Sequence, residues 1–349
     1  MSLSRFFLIV IITLVCGCCI LAKSEKDLKK SKLVKARYRI MFWNVENYFD
    51  TQNDSLTNDD EFTPDGIRRW NYTRYLRKVN NLYKVLVAAG DPYPPEIIGL
   101  CEVENRQVLD DLIYKSPFSR YGYKAVHRDS KDKRGIDVAV LYNPQLVKLL
   151  NIQFISPYLN GTSPAETREI IYIEAVVCLM DTIHFYFNHW PSKYGGAGYT
   201  EPLRKLTAGT LKTSVDSLQK EHINPKIIIG GDFNDSPEAV SITQVLGAGC
   251  VENIFPESRT LYNLSCGGNP GTLKYQGIWG IIDQFIVTGN MLPGNNRKDD
   301  RDVRFSIFAP EFLLVTDEHY SGLKPFRTWD GMKYIGGFSD HLPVMLTIY

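Results

Sequence analysis

Short apolar runs recur along most of this chain, at residues 38–43, 97–100, 137–142, 170–177, 183–188, 227–229, 281–287 and 342–348. Most are four to eight residues long and rich in Ile, Val, Tyr and Phe. Runs of that length and composition form strands. Helical patterns lie between some of them. Tyr75, Val79, Leu82 and Leu86 are spaced to share one helix face, and 203–218, with Gly209 its only glycine, is a second helix. Strands mixed with helices, and no linker between 38 and 349, predict a single α/β domain of two packed sheets with helices outside.

Composition bounds the function classes. With 349 residues, 44% of them hydrophobic, the chain can bury a large core. Its 20 Tyr and 17 Phe argue against disorder. Lys plus Arg is 40 and Asp plus Glu is 39, so no global charge draws it to nucleic acid or an anionic membrane.

The N-terminus reads as a separate export segment. Arg5 precedes an apolar stretch at 6–15 and then Cys16-Gly17-Cys18-Cys19, the pattern of a secretory signal. Two readings stand: a bacterial lipobox with Cys18 as the lipidated residue, which is preferred, or simple cleavage after Ala22 giving a soluble secreted protein. The segment 1–22 is read as a lipoprotein-type signal, cleaved before Cys18 or after Ala22, and is followed by a polar, lysine-rich tether at 23–37. Membrane contact is expected only through that lipid, with the protein in the periplasm or at the cell surface, as a monomer. Of the other cysteines, Cys101 and Cys178 lie in apolar runs as buried thiols. Cys250 and Cys266 flank loop-like sequence and either pair or stay free.

What stands at the ends of the apolar runs is chemically specific. Run 38–43 leads into Asn44 and Glu46, run 97–100 into Glu102 and Glu104, and run 227–229, through two glycines, into Asp232 and Asn234. Asp283 lies within 281–287, and Asp340-His341 precedes the last run. In an extended chain Asp232 and Asn234 would point the same way. Carboxylates and amides without thiolates suit a hard cation such as Mg²⁺, which keeps waters and fills its shell with phosphate oxygens. Histidines nearby can move protons or stabilise a phosphoryl group. The set points to metal-assisted phosphoester hydrolysis. Taken singly each piece has a plainer reading: "GGDFND" as a turn, Glu102 as a solvated strand end, Ser-Asp-His at 339–341 as a surface turn.

The segments "FWNVENYFDT", "IIGLCEVEN", "RGIDVAVLY", "FYFNHWPSKYGG", "GGDFNDSP", "GIIDQFIV" and "GFSDHLPV" occur in one order. Together they resemble the endonuclease/exonuclease/phosphatase superfamily with its DNase-I-like fold, and most of all its exported bacterial members. The resemblance implies a four-layered α/β sandwich over about 38–349, with the active site at one end of two sheets. It also implies roles. Glu102 is the metal carboxylate, assisted by Asn44, and Asp340 is a further metal or water contact. Asp232 orients or deprotonates water, and Asn234 fixes water or phosphate. His341 contacts the scissile phosphate with Asp283 orienting it, and His189 serves the leaving group. Arg134 and Asp137 border the site, and Lys193, like Ser192, touches phosphate, though a surface Arg–Asp pair and a solvated lysine serve as well. The basic residues Arg68, Arg69, Arg74, Arg77, Lys78 and Lys84 are read as a solvated helix surface in preference to a nucleic-acid patch.

The expected activity is therefore hydrolysis of a phosphodiester by in-line attack of water, with Mg²⁺ or in its place Mn²⁺ as cofactor. Nucleic acid is the leading substrate. The alternatives are a phosphomonoesterase on sugar or inositol phosphates, and a binding lipoprotein that keeps the fold without turnover.

Overall fold

Two parallel strand pairs organise the fold: Tyr38–Tyr48 with Ile97–Val103, and Asp181–His189 with Ile227–Asp232. The structure, a computed structural model, describes residues 38–349 other than 91, 160–162, 179–180, 194–195, 252–255, 269 and 294–302. The signal and tether expected at 1–37 lie outside the described residues. Tyr38–Tyr349 is one compact unit.

Each of these two pairs is the centre of a mixed sheet. The six-stranded sheet has the order Val303–Ile307, Val344–Ile348, Tyr38–Tyr48, Ile97–Val103, Asp137–Tyr142, Lys124–His127. The seven-stranded sheet has the order Ala248–Cys250, Leu261–Asn263, Asp283–Thr288, Ile227–Asp232, Asp181–His189, Ile170–Val177, Val147–Ile155. Side chains alternate across both. Ile40 and Phe42 meet Phe185, Phe187 and Phe285 between the sheets, while Met41 and Trp43 face outward onto the helix Tyr72–Ala88. Ile228 points into the inter-sheet core. Ile227 and Ile229 pack outward with Ala208, Leu211 and Val215 of the helix Ala197–Glu221. Both faces of the central strands are covered, so their sequences are continuously apolar rather than alternating. The result is the expected four-layered α/β sandwich.

Glycines admit the closest approaches. A Cβ on Gly99 would lie 2.4 Å from a ring carbon of Phe187 in the facing sheet, and one on Gly231 would lie 2.6 Å from the backbone oxygen of Asn188. The two glycines before Asp232 are therefore part of the strand, which continues through them to the acid.

The first helix buries Tyr75, Val79, Leu82 and Leu86 as their spacing requires. The second starts earlier than its sequence signal, at Ala197, and continues past Pro202, which reads as a boundary in sequence. Val147–Ile155 has no apolar run because it is an edge strand with mostly exposed side chains. Cys250 and Cys266 form a disulfide. Cys101 is a buried free thiol and Cys178 a half-buried one.

Candidate active site

Parallel neighbours end on the same side, and an antiparallel neighbour begins where they end. The residue pairing shows this directly: Asp232 stands opposite His189 on one flank and Asp283 on the other. In the other sheet Asn44 stands opposite Cys101, one residue before Glu102, and His341 lies just before the strand Val344–Ile348. Both sheets thus deliver their polar residues to one end of the sandwich.

Asn44 joins the two sheets. Its Nδ2 donates to Oε1 of Glu102 at 3.1 Å and to Oδ2 of Asp232 at 3.0 Å. The Ser339 hydroxyl donates to the Asn44 carbonyl at 2.6 Å and accepts the backbone N–H of His341 at 3.1 Å. Trp43 Nε1 donates to the His341 carbonyl at 2.9 Å. The Ser-Asp-His segment is therefore pinned to the strand that carries Asn44. His341 Nδ1 donates to Asp283 Oδ2 at 2.7 Å, leaving Nε2 at 4.0 Å from Asp232 Oδ2. His189 Nε2 lies 3.7 Å from the same oxygen.

The backbone is bent to make this arrangement. Glu46, Asn47, Glu102 and Asn234 all have φ between 50° and 62°. Left-handed conformations are uncommon for such residues and concentrate at functional sites. The pairing register shifts between Cys101 and Val103, so Glu102 sits in a bulge. Bulges re-aim side chains. The Glu102 carboxylate also accepts the Asn47 N–H at 2.8 Å.

Burial and crowding set the charges. Asp232 is pushed up to about 7, first by burial and then by the Asp283 charge. Burial opposes charge on His341, but the Asp283 and Asp232 carboxylates outweigh it and hold the imidazole well above its usual range. His189 is held well below its usual range by burial, with Arg168, Arg134 and His341 adding positive potential. Burial, then Asp232, Glu102 and Asp283, raise the Cys101 thiol well above an ordinary cysteine.

Several expected positions differ in detail. The strand stops at Asp232, and Asn234, at φ 50°, does not continue the alternation. Its Nδ2 donates to the Trp190 carbonyl at 2.9 Å, and its backbone N–H donates to Asp232 Oδ1 at 2.9 Å. Asp340 accepts from Arg327 Nη2 at 3.0 Å. Lys193, expected at phosphate, has its ammonium 3.0 Å from Asp235 Oδ1. Arg134 is half exposed, with Nε 3.4 Å from Asp132 Oδ1. Asp137 is buried beside His127, and Ser130 N–H donates to it.

Lys78 corrects the reading of a solvated basic face. It is fully buried and donates to Thr328 Oγ1 and the Phe338 carbonyl, both at 2.7 Å. Burial lowers it to about 8, against the pull of Glu46, Asp340 and Glu102. Nor are Arg68, Arg74 and Lys84 simply solvated: each cation lies over an aromatic ring, including Trp329, Tyr334 and Phe312.

Sequence reasoning also assigned no role to Glu46, Arg327 or Arg168. Glu46 accepts the N–H groups of Thr328 and Trp329 at 2.5 and 3.3 Å, and burial pushes it up to about 7. Arg168 is buried, with Nη1 2.7 Å from Asp132 Oδ2, and donates to the His189 and Trp190 carbonyls. The only signal for Glu46 was its position two residues beyond Asn44 in "NVEN". Nothing local marks Arg168.

Comparison with known proteins agrees with this geometry. Residues 39–349 match the Endonuclease/Exonuclease/phosphatase family, and the chain belongs to that family. Its class is that of the phosphoester hydrolases. Among solved structures, an endonuclease/exonuclease/phosphatase family protein from Bacteroides thetaiotaomicron is similar, with TM-score 0.55 and 14% identity over 90% of this chain and 98% of that one. A mannosyl-6-phosphatase, Bt3783, from the same organism gives TM-score 0.55 and 14% identity over 89% and 99%. D. rerio TDP2, solved with a single strand DNA product, gives TM-score 0.53 and 13% identity over 90% and 100%. At such identities these structures bear on the fold alone. No curated protein matches the chain by sequence.

Proposed function

We propose that this protein is an exported, Mg²⁺-dependent phosphodiesterase, with nucleic acid as its leading substrate. The observation that carries the reading is the convergence of His341, backed by Asp283 at 2.7 Å, and His189 on the single buried carboxylate oxygen of Asp232.

The donor set fits a hard cation. Glu102 and Asn44 would hold it: both are oxygen donors at one strand-end cleft, and among the described residues Asn44 Oδ1 accepts the Glu46 N–H at 2.9 Å and keeps a second lone pair. The concentrated charge of Glu102, Asp232 and Asp283, felt by the Cys101 thiol, favours a dication there. Asp340, paired to Arg327, supports this charge at one remove. When bound, Mg²⁺ would supply polarisation of a non-bridging phosphate oxygen; Mn²⁺ would serve in its place.

The chain's own residues do the rest. Asp232, titrating near neutrality, accepts a proton from the attacking water at Oδ2. Asn234 holds Asp232 in place through its backbone N–H. His341, kept protonated, presents Nε2–H to the phosphoryl oxygens as charge builds, and Asp283 fixes which nitrogen faces them. His189 was expected to protonate the leaving group. Burial keeps it unprotonated near neutral pH, so it has no proton to give; it acts as a neutral hydrogen-bonding group and water protonates the departing alkoxide. Arg134, on the loop beside Asp132, is assigned to substrate contact at the rim.

The Cys250–Cys266 disulfide supports export, because disulfides persist in oxidising compartments. If Cys18 is lipidated, Cys18→Ala releases the protein from the membrane fraction of a bacterial host. A mature soluble protein beginning at Lys23 would contradict lipidation.

One observation favours a phosphomonoesterase instead. Lys193 and Arg134 are both engaged by aspartates, and the net charge is only +1, a weak footprint for gripping a nucleic-acid backbone. A panel of single-stranded DNA, nitrophenyl diesters and sugar or inositol monophosphates, each with Mg²⁺ and with EDTA, separates the two. Turnover of monoesters alone would replace the diesterase reading.

A further inference from the structure

Outside the cleft, a second group of metal-binding side chains stands at the far edge of the six-stranded sheet. His127 ends the edge strand Lys124–His127, and Asp137 begins its antiparallel neighbour Asp137–Tyr142. His127 pairs with Ala139, two residues beyond Asp137, so the histidine and the acid share a face. The His127 side chain is 2% exposed and that of Asp137 3%. His127 Nε2 is buried, has no hydrogen-bond partner among the described residues and lies 3.8 Å from Asp137 Oδ2. Asp129, 80% exposed, brings Oδ1 to 3.9 Å from His127 Nδ1. One ligand atom from each of the three residues falls within 4.8 Å of the others.

We propose that His127, Asp129 and Asp137 bind a zinc-type divalent ion, distinct from the cleft cation. A buried ring nitrogen without a partner is costly. Its distance from the carboxylate is too long for a hydrogen bond but close to that of two ligands on one ion. Ligands about 2.0–2.2 Å from zinc in tetrahedral geometry stand about 3.3–3.6 Å apart. Asp137 already places Oδ1 on the Ser130 N–H at 3.0 Å. Its other oxygen faces the histidine. Imidazole with carboxylates selects zinc over magnesium, and three protein ligands leave a fourth position for water. Asp129 stands nearest the other ring nitrogen, Nδ1, and its exposed side chain would swing round to reach an ion held on Nε2.

The ion would clamp the loop 128–136, which has a use. That loop carries Asp132, whose Oδ2 holds Arg168 Nη1 at 2.7 Å, and Arg168 in turn donates to the His189 carbonyl at 3.2 Å. Arg134 is on the same loop and donates its N–H to Asp132 Oδ1. Zinc at the loop's root would steady both. The proposal stands independently of the phosphodiesterase reading.

The test is zinc content after equilibrium dialysis of the whole protein in excess Mg²⁺, with thermal melting alongside. The proteins are the parent, His127→Gln, Asp129→Ala and, to locate cleft binding, Glu102→Gln. Asp129→Ala alters an exposed side chain and so keeps the fold if His127→Gln does not. The parent and Glu102→Gln should each retain zinc, and the ion should raise their melting temperature. In His127→Gln and Asp129→Ala affinity should fall by roughly tenfold or more, with no thermal gain. Equal zinc in all four proteins, zinc lost only with Glu102→Gln, or none in the parent overturns the site.

Discussion

Asn44 Nδ2 lies 3.1 Å from Glu102 Oε1 and 3.0 Å from Asp232 Oδ2, so one amide group ties a carboxylate of each sheet into a single cleft. A position on the opposite end of the sandwich from Asp232 would have excluded Glu102 from the cleft. Instead the two acids are separated by one side chain, and each has a distinct environment: Glu102 on a bulge and half open, Asp232 buried and titrating near neutrality.

Glu102→Gln keeps the shape and can still accept the Asn47 N–H while removing the charge. The Mg²⁺ concentration for half-maximal turnover should rise by roughly tenfold or more, with the melting temperature in EDTA unchanged. An unaltered Mg²⁺ dependence would move the cation away from Glu102.

His341→Ala should lower kcat by roughly 10²-fold or more, the scale for losing a positioned catalytic group. Asp283→Asn should cost less, since it orients and charges the ring rather than touching phosphate. Steady-state rates on one diester in both variants check the order, and a larger loss for Asp283→Asn would reverse the assignment.

His184 offers a test of the electrostatics away from the cleft. Burial, with His222 nearby, lowers it to about 4, while in the unfolded chain it titrates near the ordinary histidine value. The folded state therefore binds fewer protons between about 6.5 and 4, and stability is lost as pH falls through that window. In His184→Gln the melting temperature should drop less steeply from pH 6.5 to 4. Parallel slopes for parent and variant would show that His184 is not the group responsible.

Gly231→Ala should destabilise the fold by about 1–3 kcal/mol, the usual range for overpacking, because its Cβ would meet the Asn188 backbone oxygen at 2.6 Å. Denaturant unfolding measures it. A variant as stable as the parent would mean that the strand separation near Asp232 is looser than described.

Much of this architecture could be read before any coordinates. The central strands are covered on both faces, so they appear as unbroken apolar runs, and parallel pairing sends their polar tips to one end. That is why Asn44, Glu102, Asp232, Asp283 and His341 could be named together. Other features depend on contacts remote in the chain. Arg168 and Lys78 look like surface cations until the partners of Arg168 at Asp132, and of Lys78 at Thr328 and Phe338, are brought to them. The left-handed turn at Asn234 contradicts simple strand alternation; the Asp232 side chain that accepts its N–H and the remote Trp190 carbonyl that accepts its amide hold it there. Val147–Ile155, an edge strand, carries no buried stripe to announce it.

In the proposed reaction Asp232 takes the proton of the water that attacks a phosphodiester in a Mg²⁺-dependent site. The decisive experiment is kcat for a nitrophenyl phosphodiester in saturating Mg²⁺, parent against Asp232→Asn. Asparagine preserves the shape and can still accept at Oδ1 from Asn234. Parent turnover should vanish in EDTA, and the variant should lose roughly 10²–10⁴-fold. A variant that hydrolyses the ester at the parent rate would contradict it.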